Sequence, residues 1–369
     1  MAAETLLTDL CSVPTAPFVE GRVVEFVERF VKQRRRLALS RDSFGNLLVE
    51  LPARKAKGEP LPRWVFTAHM DHPGFVAREV AADGRALAAD FRGGVLADFF
   101  NGSKVRFFDG GREVTGVVSD HTAGEDRGYP VSATVRVKGP VPPGTPGMWD
   151  VGAGRVKGRK FYSRVCDDLA GAAAALAMLD ELAADAKDAP PSPVAVLLTR
   201  AEEEGFVGAI AASRRPQLLR KSDRIIAIEC SAQQPYAPQG KGAVIRVGDR
   251  TSTFHSGLTY FITRLAEDLA KADKTFAYQR ALMPGGTCEA TVYDVYGFTA
   301  ASICVALGNY HNMDRERGKI AAEYIDLADW RNMVRLFVEI ARKGHGYEPG
   351  HKLLRGRIEA RYEKLKHLL

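Results

Sequence analysis

The stretch VAVLLTRAEEEG (194–205) joins an uninterrupted apolar run to three consecutive glutamates. A run of Val, Ala and Leu without alternating polar residues is typical of a strand that is buried on both faces, as in a sheet covered by helices. The stretch WVFTAH (64–69) has the same character and ends in a histidine. These two runs predict an α/β fold with a central sheet and helices on both of its faces.

Helical patterns alternate with further apolar runs over most of the chain. Apolar residues recur at helical spacing in several segments, and the Ala-rich stretch 169–182 is the clearest of them. The patterns predict helices near 19–35, 169–182, 206–214, 257–271 and 324–343, and strands at 44–51, 64–69, 194–199, 224–230 and 299–307. Because helices alternate with strands, we expect one α/β domain with a mixed sheet.

The segment from about 75 to 157 has a different character. It contains many glycines, short strands rich in Val and Phe, and turn residues at short intervals, and it shows no helical period. Such a pattern indicates a small all-β unit of barrel or PDZ-like type. We therefore expect two domains: a discontinuous α/β domain of residues 1–74 and 158–369, and an inserted β domain of residues 75–157.

The net charge of +7 on this chain of 369 residues is concentrated near the C-terminus. Residues 341–369 hold eight Lys or Arg against three Glu, so the rest of the chain is nearly neutral and has no basic stripe. In this tail Leu354, Ile358, Leu365 and Leu369 recur at near-helical spacing, which predicts a basic amphipathic helix packed on its own protein. We expect neither a nucleic-acid partner nor a membrane, since no stretch approaches the ~18–20 apolar residues of a membrane span.

The five cysteines form no CxxC pair and are odd in number. This usage is typical of reduced thiols rather than of a disulfide framework. The first twenty residues include acidic side chains and lack a basic segment followed by an apolar run, so they do not resemble a secretory signal. We expect the protein to be cytoplasmic.

Potential metal ligands and proton carriers stand at five places, most of them just after an apolar strand. They are His69 with Asp71, Asp167 with Asp168, the glutamates at 202–204, Glu229 and His311. In open α/β sheets, loops from separate strands converge beyond the carboxyl ends of the strands and form the ligand site. One charged strand end is common, but five that carry His, Asp, Glu, Glu and His favour a shared site.

The residue types in this set suit zinc. Imidazole and carboxylate are the usual non-thiolate ligands of zinc, and a two-metal site needs a carboxylate between ions that lie ~3.5–4 Å apart. The histidines disfavour Mg²⁺ and Ca²⁺, which prefer oxygen ligands. Taken singly, Asp167-Asp168 could simply cap the following helix, and the glutamate triplet could be a solvated face. Glu229 is harder to explain in this way, because a carboxylate inside IIAIEC is costly to bury without a partner.

Six short motifs are spread over nearly the whole chain. They are DSFGNLL (42–48), AHMD (68–71), DDLAG (167–171), TRAEEEGFVGA (199–209), GKGAVIRVGD (240–249) and GGT (285–287). In this order they resemble motifs of the dinuclear zinc aminopeptidases, specifically the glutamyl and deblocking aminopeptidases that assemble into tetrahedral dodecamers. The most specific match is TRAEEEGFVGA, which resembles the family's T-x-x-E-E-x-G-x-x-G-A segment.

The resemblance implies two divalent metal ions per chain, taken as zinc, with cobalt or manganese as alternatives. His69 and Glu229 would hold one ion, and Glu203 and His311 would hold the other. Asp167 would bridge the two ions.

The resemblance also implies two catalytic side chains. Glu202 would be the general base, with Glu203 beside it directed at the metal, because successive side chains of an extended segment point in opposite directions. Asp71 would orient the ring of His69 by a hydrogen bond to its second nitrogen. The peptide bond between residues 167 and 168 would be cis.

The implied activity is that of a metal-dependent aminopeptidase, which hydrolyses N-terminal residues from short peptides with a dizinc-activated water. The implied quaternary structure is a homo-oligomer of up to twelve subunits. The inserted β domain would mediate this assembly.

Four departures from the family pattern affect the expected substrate. His72-Pro73 replaces Glu-Ile, GGTCEA (285–290) replaces GGTDA, and GNYHN (308–312) is one residue shorter before its histidine. Glu229 stands where Asp is usual, and a longer arm occurs there in related carboxypeptidases and deacylases. The alternative function is therefore a dinuclear zinc carboxypeptidase or N-acyl amino-acid deacylase. A second alternative, a catalytically silent assembly protein of the same fold, is disfavoured by the complete set of ligands.

Overall fold

The computed structural model describes residues 3–54, 61–80, 85–125, 128–185, 187, 189–349 and 351–369. Its α-helices are α1 (Ala3–Leu10), α2 (Gly21–Lys32), α3 (Leu169–Ala184), α4 (Val207–Arg214), α5 (Ser256–Ala272), α6 (Glu289–Val295), α7 (Leu327–Lys343) and α8 (Lys352–Leu365). Its strands are β1 (Ala38–Arg41), β2 (Leu47–Leu51), β3 (Trp64–His69), β4 (Gly74–Val80), β5 (Ala86–Arg92), β6 (Lys104–Asp109), β7 (Arg112–Ala123), β8 (Pro130–Val137), β9 (Pro146–Trp149), β10 (Arg155–Lys157), β11 (Lys160–Ser163), β12 (Val194–Thr199), β13 (Arg224–Ala232), β14 (Ala243–Gly248), β15 (Tyr278–Leu282), β16 (Thr299–Gly308), β17 (Met313–Asp314), β18 (Lys319–Ile320) and β19 (Glu323–Asp326). No helix in these ranges combines the length and the apolar character that crossing a membrane requires.

A large mixed sheet forms the centre of the molecule. Within the described residues its strands follow the order β1-β2-β12-β3-β13-β16-β19-β11-β10, and β14 and β15 join it at β16. The four strands from β12 to β16 run parallel to one another, and the flanking strands β2 and β19 pair antiparallel with them. β3 and β12 are buried along their whole length, as their apolar sequences predict. The mixed α/β sheet expected from the sequence is therefore confirmed.

Helices cover both faces of this sheet, because successive residues of its central strands face opposite sides. Trp64 and Phe66 of β3 face the layer that contains α1, α3, α5 and α7. Val65 faces the opposite layer, where Ala209 of α4 and Tyr293 of α6 complete a separate apolar cluster. α3 is buried all round its axis, since its many alanines favour the helix and let it lie close to the sheet.

The chain leaves the sheet after β3 and forms a closed barrel before it returns. In the described part of the chain, the barrel contains strands β4, β5, β8, β7, β6 and β9 in this order. Aromatic residues fill its core, among them Phe75, Phe91, Phe107 and Trp149. The next strand, β10, pairs with β11, which pairs with β19 of the main sheet. The barrel strands thus span residues 74–149, and residues 155–157 of the expected β domain lie in the main sheet.

The basic tail forms the predicted helix, α8, but most of this helix is exposed. The exposed fractions of Ile358, Tyr362 and Leu365 are 62%, 55% and 40%. One of its contacts with the rest of the molecule is the hydrogen bond that Arg357 donates to the hydroxyl of Tyr260, at 2.8 Å. Of the four apolar residues expected to pack on the chain, only Leu354 is half-buried, and Ile358, Leu365 and Leu369 are exposed, so most of the expected packing is wrong.

Candidate metal centre

His69 is the last residue of β3, and its buried imidazole lies at the carboxyl end of the central strands. Its Nδ1 atom lies 3.1 Å from the backbone carbonyl oxygen of Asp71 and 3.6 Å from Asp71 Oδ1. An Nδ1–H that donates to this carbonyl leaves Nε2 available for a metal ion. The nearer partner of His69 is thus the backbone carbonyl of Asp71, and the carboxylate of the same residue lies farther away.

The carboxylate of Asp167 lies between two histidines. Its Oδ1 atom is 3.4 Å from Nε2 of His69, and its Oδ2 atom is 3.9 Å from Nε2 of His311. On the far side, Glu203 Oε1 is 3.2 Å from the same His311 nitrogen. The peptide bond between Asp167 and Asp168 is cis, as the resemblance implies. Each oxygen of Asp167 therefore faces a different histidine, which is the arrangement of a bridging carboxylate.

Glu202 and Glu203 lie in the turn that follows β12. The strand ends at Thr199, and Ala201 has a left-handed backbone with φ of 50°. The carboxylate of Asp71 accepts hydrogen bonds from the N–H groups of Glu202 at 3.0 Å and Glu203 at 3.1 Å. This turn and Asp71 hold the two glutamates in place, rather than the strand-like alternation inferred from the sequence.

A cleft of about 740 Å³ opens at this end of the sheet. Asp167, Glu203 and His311 line it, and so do Glu202 and Glu229. In the described structure, neither Glu202 nor Glu229 forms an ion pair with a histidine. The structure thus brings four predicted ligands into contact, and it places the other two predicted carboxylates on the wall of the same cleft.

The contacting atoms fit a divalent cation. Asp167 Oδ1, Glu203 Oε1 and His311 Nε2 are buried and have no hydrogen-bond partner in the described structure. Ligand atoms of His69, Asp167 and Glu203 lie within 4.8 Å of one another. Two ligands about 2.0–2.1 Å from one tetrahedral ion lie about 3.3–3.4 Å apart. The distances from His69 to Asp167, 3.4 Å, and from His311 to Glu203, 3.2 Å, are close to this value. A cation would therefore satisfy atoms that would otherwise be buried without partners.

Burial and charge shift the pKa values of the carboxylates in the cleft. Burial raises the pKa of Glu229 to about 8, and the charge of Asp167 contributes to this shift. Burial also raises the pKa of Glu202 well above the ordinary value for glutamate, with contributions from Glu229 and Glu203. Burial lowers the pKa of His311, but the charges of Glu203 and Asp167 outweigh it and raise that pKa to about 9. Several carboxylates in one buried place favour the binding of positive charge.

Glu323 is a residue of the site that sequence reasoning missed. One of its oxygens accepts hydrogen bonds from the N–H groups of Cys166 at 2.7 Å and Asp167 at 3.1 Å, and the other accepts from the N–H of His311 at 2.9 Å. Glu323 thus fixes the backbone under two predicted ligands. A glutamate within the otherwise apolar segment AAEYI (321–325) was the available signal.

His72, which the sequence marked only as a departure from the family pattern, lies beneath the same ligands. Its Nδ1 atom is 2.6 Å from the carbonyl oxygen of Asp167, and its Nε2 atom is 3.0 Å from Asn312 Oδ1. The amide nitrogen of Asn312 donates to the carbonyl of Arg164 at 3.0 Å, which fixes the orientation of the amide. His72 therefore supports the backbone of Asp167 through the carbonyl group of that residue.

The overall architecture is similar to that of known aminopeptidases. The structure of the TET1 peptidase of Pyrococcus horikoshii, which can assemble into a tetrahedron or a large octahedral shell, is 20% identical, with a TM-score of 0.74 over 92% of this chain and 99% of that chain. A TET aminopeptidase from a marine sediment Thaumarchaeota archaeon is 18% identical, with a TM-score of 0.75 over 93% and 97% of the two chains. An aminopeptidase from Desulfurococcus kamchatkensis is 21% identical, with a TM-score of 0.74 over 92% and 94%. These likenesses establish the fold.

A search of curated proteins finds no match. Comparison of the sequence with family profiles, in contrast, identifies the family. The profile of the M42 glutamyl aminopeptidase family matches residues 131–336, which is more than half of the chain. The match includes Asp167, Glu202, Glu203, Glu229 and His311. The chain therefore belongs to the M42 glutamyl aminopeptidase family.

Proposed function

We propose that this protein is a metal-dependent aminopeptidase that removes N-terminal residues from short peptides. Membership of the M42 family indicates a peptide hydrolase that uses divalent metal. The observation that carries the proposal is the position of Asp167, whose two oxygens face His69 and His311 at 3.4 and 3.9 Å. The adjoining cleft of about 740 Å³ has room for the end of a peptide.

Two zinc ions per chain are the proposed metal content, with cobalt or manganese as alternatives. His69 and Glu229 would hold one ion, Glu203 and His311 would hold the other, and Asp167 would contribute one oxygen to each. When bound, such a pair of cations polarises the scissile carbonyl group and lowers the pKa of a water molecule. The imidazole and carboxylate donors of this set support zinc over magnesium or calcium.

Glu202 is the proposed proton carrier. Its carboxylate lines the cleft, and its backbone is fixed by the hydrogen bond to Asp71. We assign to Glu202 the removal of a proton from the attacking water and its delivery to the nitrogen of the leaving amine. Burial raises the pKa of Glu202, and a raised pKa is typical of a carboxyl group that acts as a general base.

The two adjacent glutamates provide the decisive test, since only one of them is assigned to the metal. Glu202→Gln removes the proton acceptor and leaves the ligands intact, so we expect both ions to stay bound while kcat falls ~10²–10⁴-fold. Glu203→Gln removes a ligand, so we expect about one tightly bound ion per chain and partial rescue by excess metal. Metal content by atomic spectroscopy and turnover of aminoacyl-nitroanilides measure the two effects.

Some outcomes of this test contradict the proposal. Near-normal turnover in both variants would exclude the hydrolytic mechanism. Loss of metal in Glu202→Gln, with normal metal content in Glu203→Gln, would reverse the two assignments. A wild-type protein that binds no divalent cation would favour the catalytically silent assembly protein.

A second candidate function is a carboxypeptidase or N-acyl amino-acid deacylase. Two arginines, Arg250 and Arg315, line the cleft, and neither forms an ion pair with another described residue. Unpaired guanidinium groups near a metal site suit a substrate carboxylate. Glu229 also has the longer side chain that occurs at this position in related carboxypeptidases and deacylases. Comparison of aminoacyl-nitroanilides with N-acetylated amino acids as substrates distinguishes the two functions.

Assembly and location are further parts of the proposal. We propose that the chain forms a homo-oligomer of up to twelve copies, with short peptides as its other partners. The barrel is proposed as the assembly domain and the α/β part as the catalytic domain. All five cysteines are free and buried, which supports a reducing compartment such as the cytoplasm.

A further inference from the structure

Glu204, the third glutamate of the triplet, connects the α/β part of the molecule to a loop of the barrel. This barrel loop (residues 93–96) follows β5 and runs along the cleft, to which Gly94 and Leu96 contribute. Glu204 Oε1 accepts a hydrogen bond from the N–H of Gly93 at 3.0 Å. Its Oε2 atom is 3.6 Å from Nη1 of Arg92. The carboxylate therefore holds the first residue of the barrel loop through one hydrogen bond and the last residue of β5 through one ion pair.

The next residue of the barrel loop contacts a predicted metal ligand. The carbonyl oxygen of Gly94 lies 2.8 Å from Nδ1 of His311. An Nδ1–H that donates to this carbonyl leaves Nε2 as the free donor atom, and Nε2 is the atom that faces Glu203 and Asp167. The barrel loop thus determines both the tautomer and the orientation of the His311 ring.

On the barrel side this loop is anchored by Val95, whose side chain is fully buried in the barrel core. Gly93 has a φ of 109°, and an added Cβ would lie 2.7 Å from Pro73, so its backbone passes close to the segment after His69. The N–H of Leu96 has a weak contact with Met313 Sδ at 3.5 Å. Between these points, Glu204 supplies the one charge-assisted hydrogen bond that the described residues make to residues 93–96.

We propose that Glu204 is a positioning residue, which holds the barrel loop so that the carbonyl of Gly94 keeps His311 aimed at its cation. This inference rests on the proposed function, because it takes His311 to be a ligand. The pattern T-x-x-E-E-x-G assigns no residue to the position of Glu204, so the pattern itself gives Glu204 no role. Glu204 is not one of the proposed ligands, and it contacts Gly93 and Arg92 through its carboxylate.

Two substitutions distinguish a positioning role of Glu204 from an effect of its negative charge alone. Glu204→Gln removes the negative charge but keeps an oxygen that accepts from the N–H of Gly93. Glu204→Ala removes both the charge and the acceptor. We expect Glu204→Ala to weaken binding of the cation that Glu203 and His311 would hold by about 10–100-fold, which is typical of substitutions that remove support from a metal ligand. We expect the affinity of Glu204→Gln for this cation to stay within a few-fold of wild type.

Titration of the metal-free full-length protein with Co²⁺, followed by visible absorption, measures cation affinity without turnover. The control is Glu125→Ala, because Glu125 is an exposed carboxylate that lines the same groove as Gly93 and Glu204 and has no described contact with the barrel loop. We expect wild-type affinity from this control. Steady-state kinetics at limiting metal should show a loss of kcat in Glu204→Ala with little change in KM, and excess metal should restore kcat.

The outcomes distinguish this inference from the proposed function. If the Gln and Ala variants lose affinity equally, the effect is one of charge and the positioning role is wrong. Wild-type affinity in Glu204→Ala, in a protein that binds two ions and cleaves peptides, would overturn the inference and leave the proposed function intact. A wild-type protein that binds no Co²⁺ would overturn both.

Discussion

Among the proposed ligands, Glu229 is the one whose carboxylate is buried in the middle of an apolar strand segment. It is buried in β13, and burial raises its pKa to about 8, so the carboxylate needs positive charge nearby to stay ionised at neutral pH. Arg246 is also buried and lines a small cavity of about 30 Å³ together with Glu229. A cation and this guanidinium together would offset the cost of burying the carboxylate.

We expect Glu229→Gln to lower the affinity for one zinc ion, leaving about one ion per chain at limiting metal. Glu229→Asp should be milder, because it shortens the arm and keeps the charge. Isothermal titration of metal-free protein with Zn²⁺ measures both variants against wild type. Two ions bound with unchanged affinity in Glu229→Gln would remove Glu229 from the ligand set.

The proximity of the proposed ligands could be predicted, because most of them follow apolar strands or interrupt them, and parallel strands bring their carboxyl ends together. The residues that support the ligands could not. Glu323 acts through backbone N–H groups of Asp167 and His311, and Gly94 acts through its carbonyl. Such contacts depend on turn conformation, which a single sequence does not specify.

At the scale of elements, long segments with a clear period were predicted well. The strand expected at 299–307 is observed as β16, and the helix expected at 257–271 is observed as α5. The three residues of β10 are too few to show a period, and only pairing with β11 makes them a strand. Conversely, α8 shows that a helical period does not specify what the helix packs against.

The loop before β14 is held by a close approach between elements, and Gly242 is its critical residue. Asp329 of α7 accepts hydrogen bonds from the N–H groups of Gly240 and Gly242, each at 2.6 Å. Gly242 has a φ of 94°, and an added Cβ would lie 2.0 Å from the carbonyl oxygen of Ala277. Any side chain here would strain the backbone and also clash with it.

We therefore expect Gly242→Ala to destabilise the protein by about 2–4 kcal/mol, from backbone strain and overpacking combined. Gly110→Ala is the control, because Gly110 has a φ of 56° and no atom within 4 Å of an added Cβ. It should lose only the strain contribution of about 1 kcal/mol. Urea unfolding followed by circular dichroism measures both. Equal losses of stability in the two variants would show that the close approach to Ala277 does not contribute to the destabilisation.

At the scale of the whole molecule, the barrel strands leave and rejoin the α/β part at neighbouring points. We expect a chain in which a short linker replaces residues 75–149 to lose self-association, because this region is the proposed assembly domain. Sedimentation velocity at several concentrations measures the oligomeric state, with circular dichroism as the test that the α/β part is folded. A folded deletion variant that keeps the wild-type oligomeric state would exclude the barrel as the assembly domain.

Tyr347 anchors the start of the C-terminal tail, whereas α8 beyond it is exposed. The ring of Tyr347 is buried against Trp64 and Phe261, and the guanidinium carbon of Arg224 lies 4.7 Å from the centre of the ring. A chain ending after residue 349 keeps this ring and loses the exposed α8, so we expect its stability to change by less than about 1 kcal/mol. A chain ending after residue 346 loses the ring and should lose about 3–5 kcal/mol. Thermal unfolding compares the two truncations. Equal stability would mean that Tyr347 does not anchor the tail.

The positions of the buried thiols allow transient opening of the α/β part to be measured by chemical modification. All five cysteines lie in the α/β part, and none lies among residues 74–149 of the barrel. A thiol-specific reagent therefore modifies a chain only when the α/β part opens. The barrel contributes no signal, so the modification rate follows transient exposure around the site, where Cys166 and Cys230 lie beside Asp167 and Glu229 in the chain. Mass spectrometry of each labelled thiol would resolve which strand separates first.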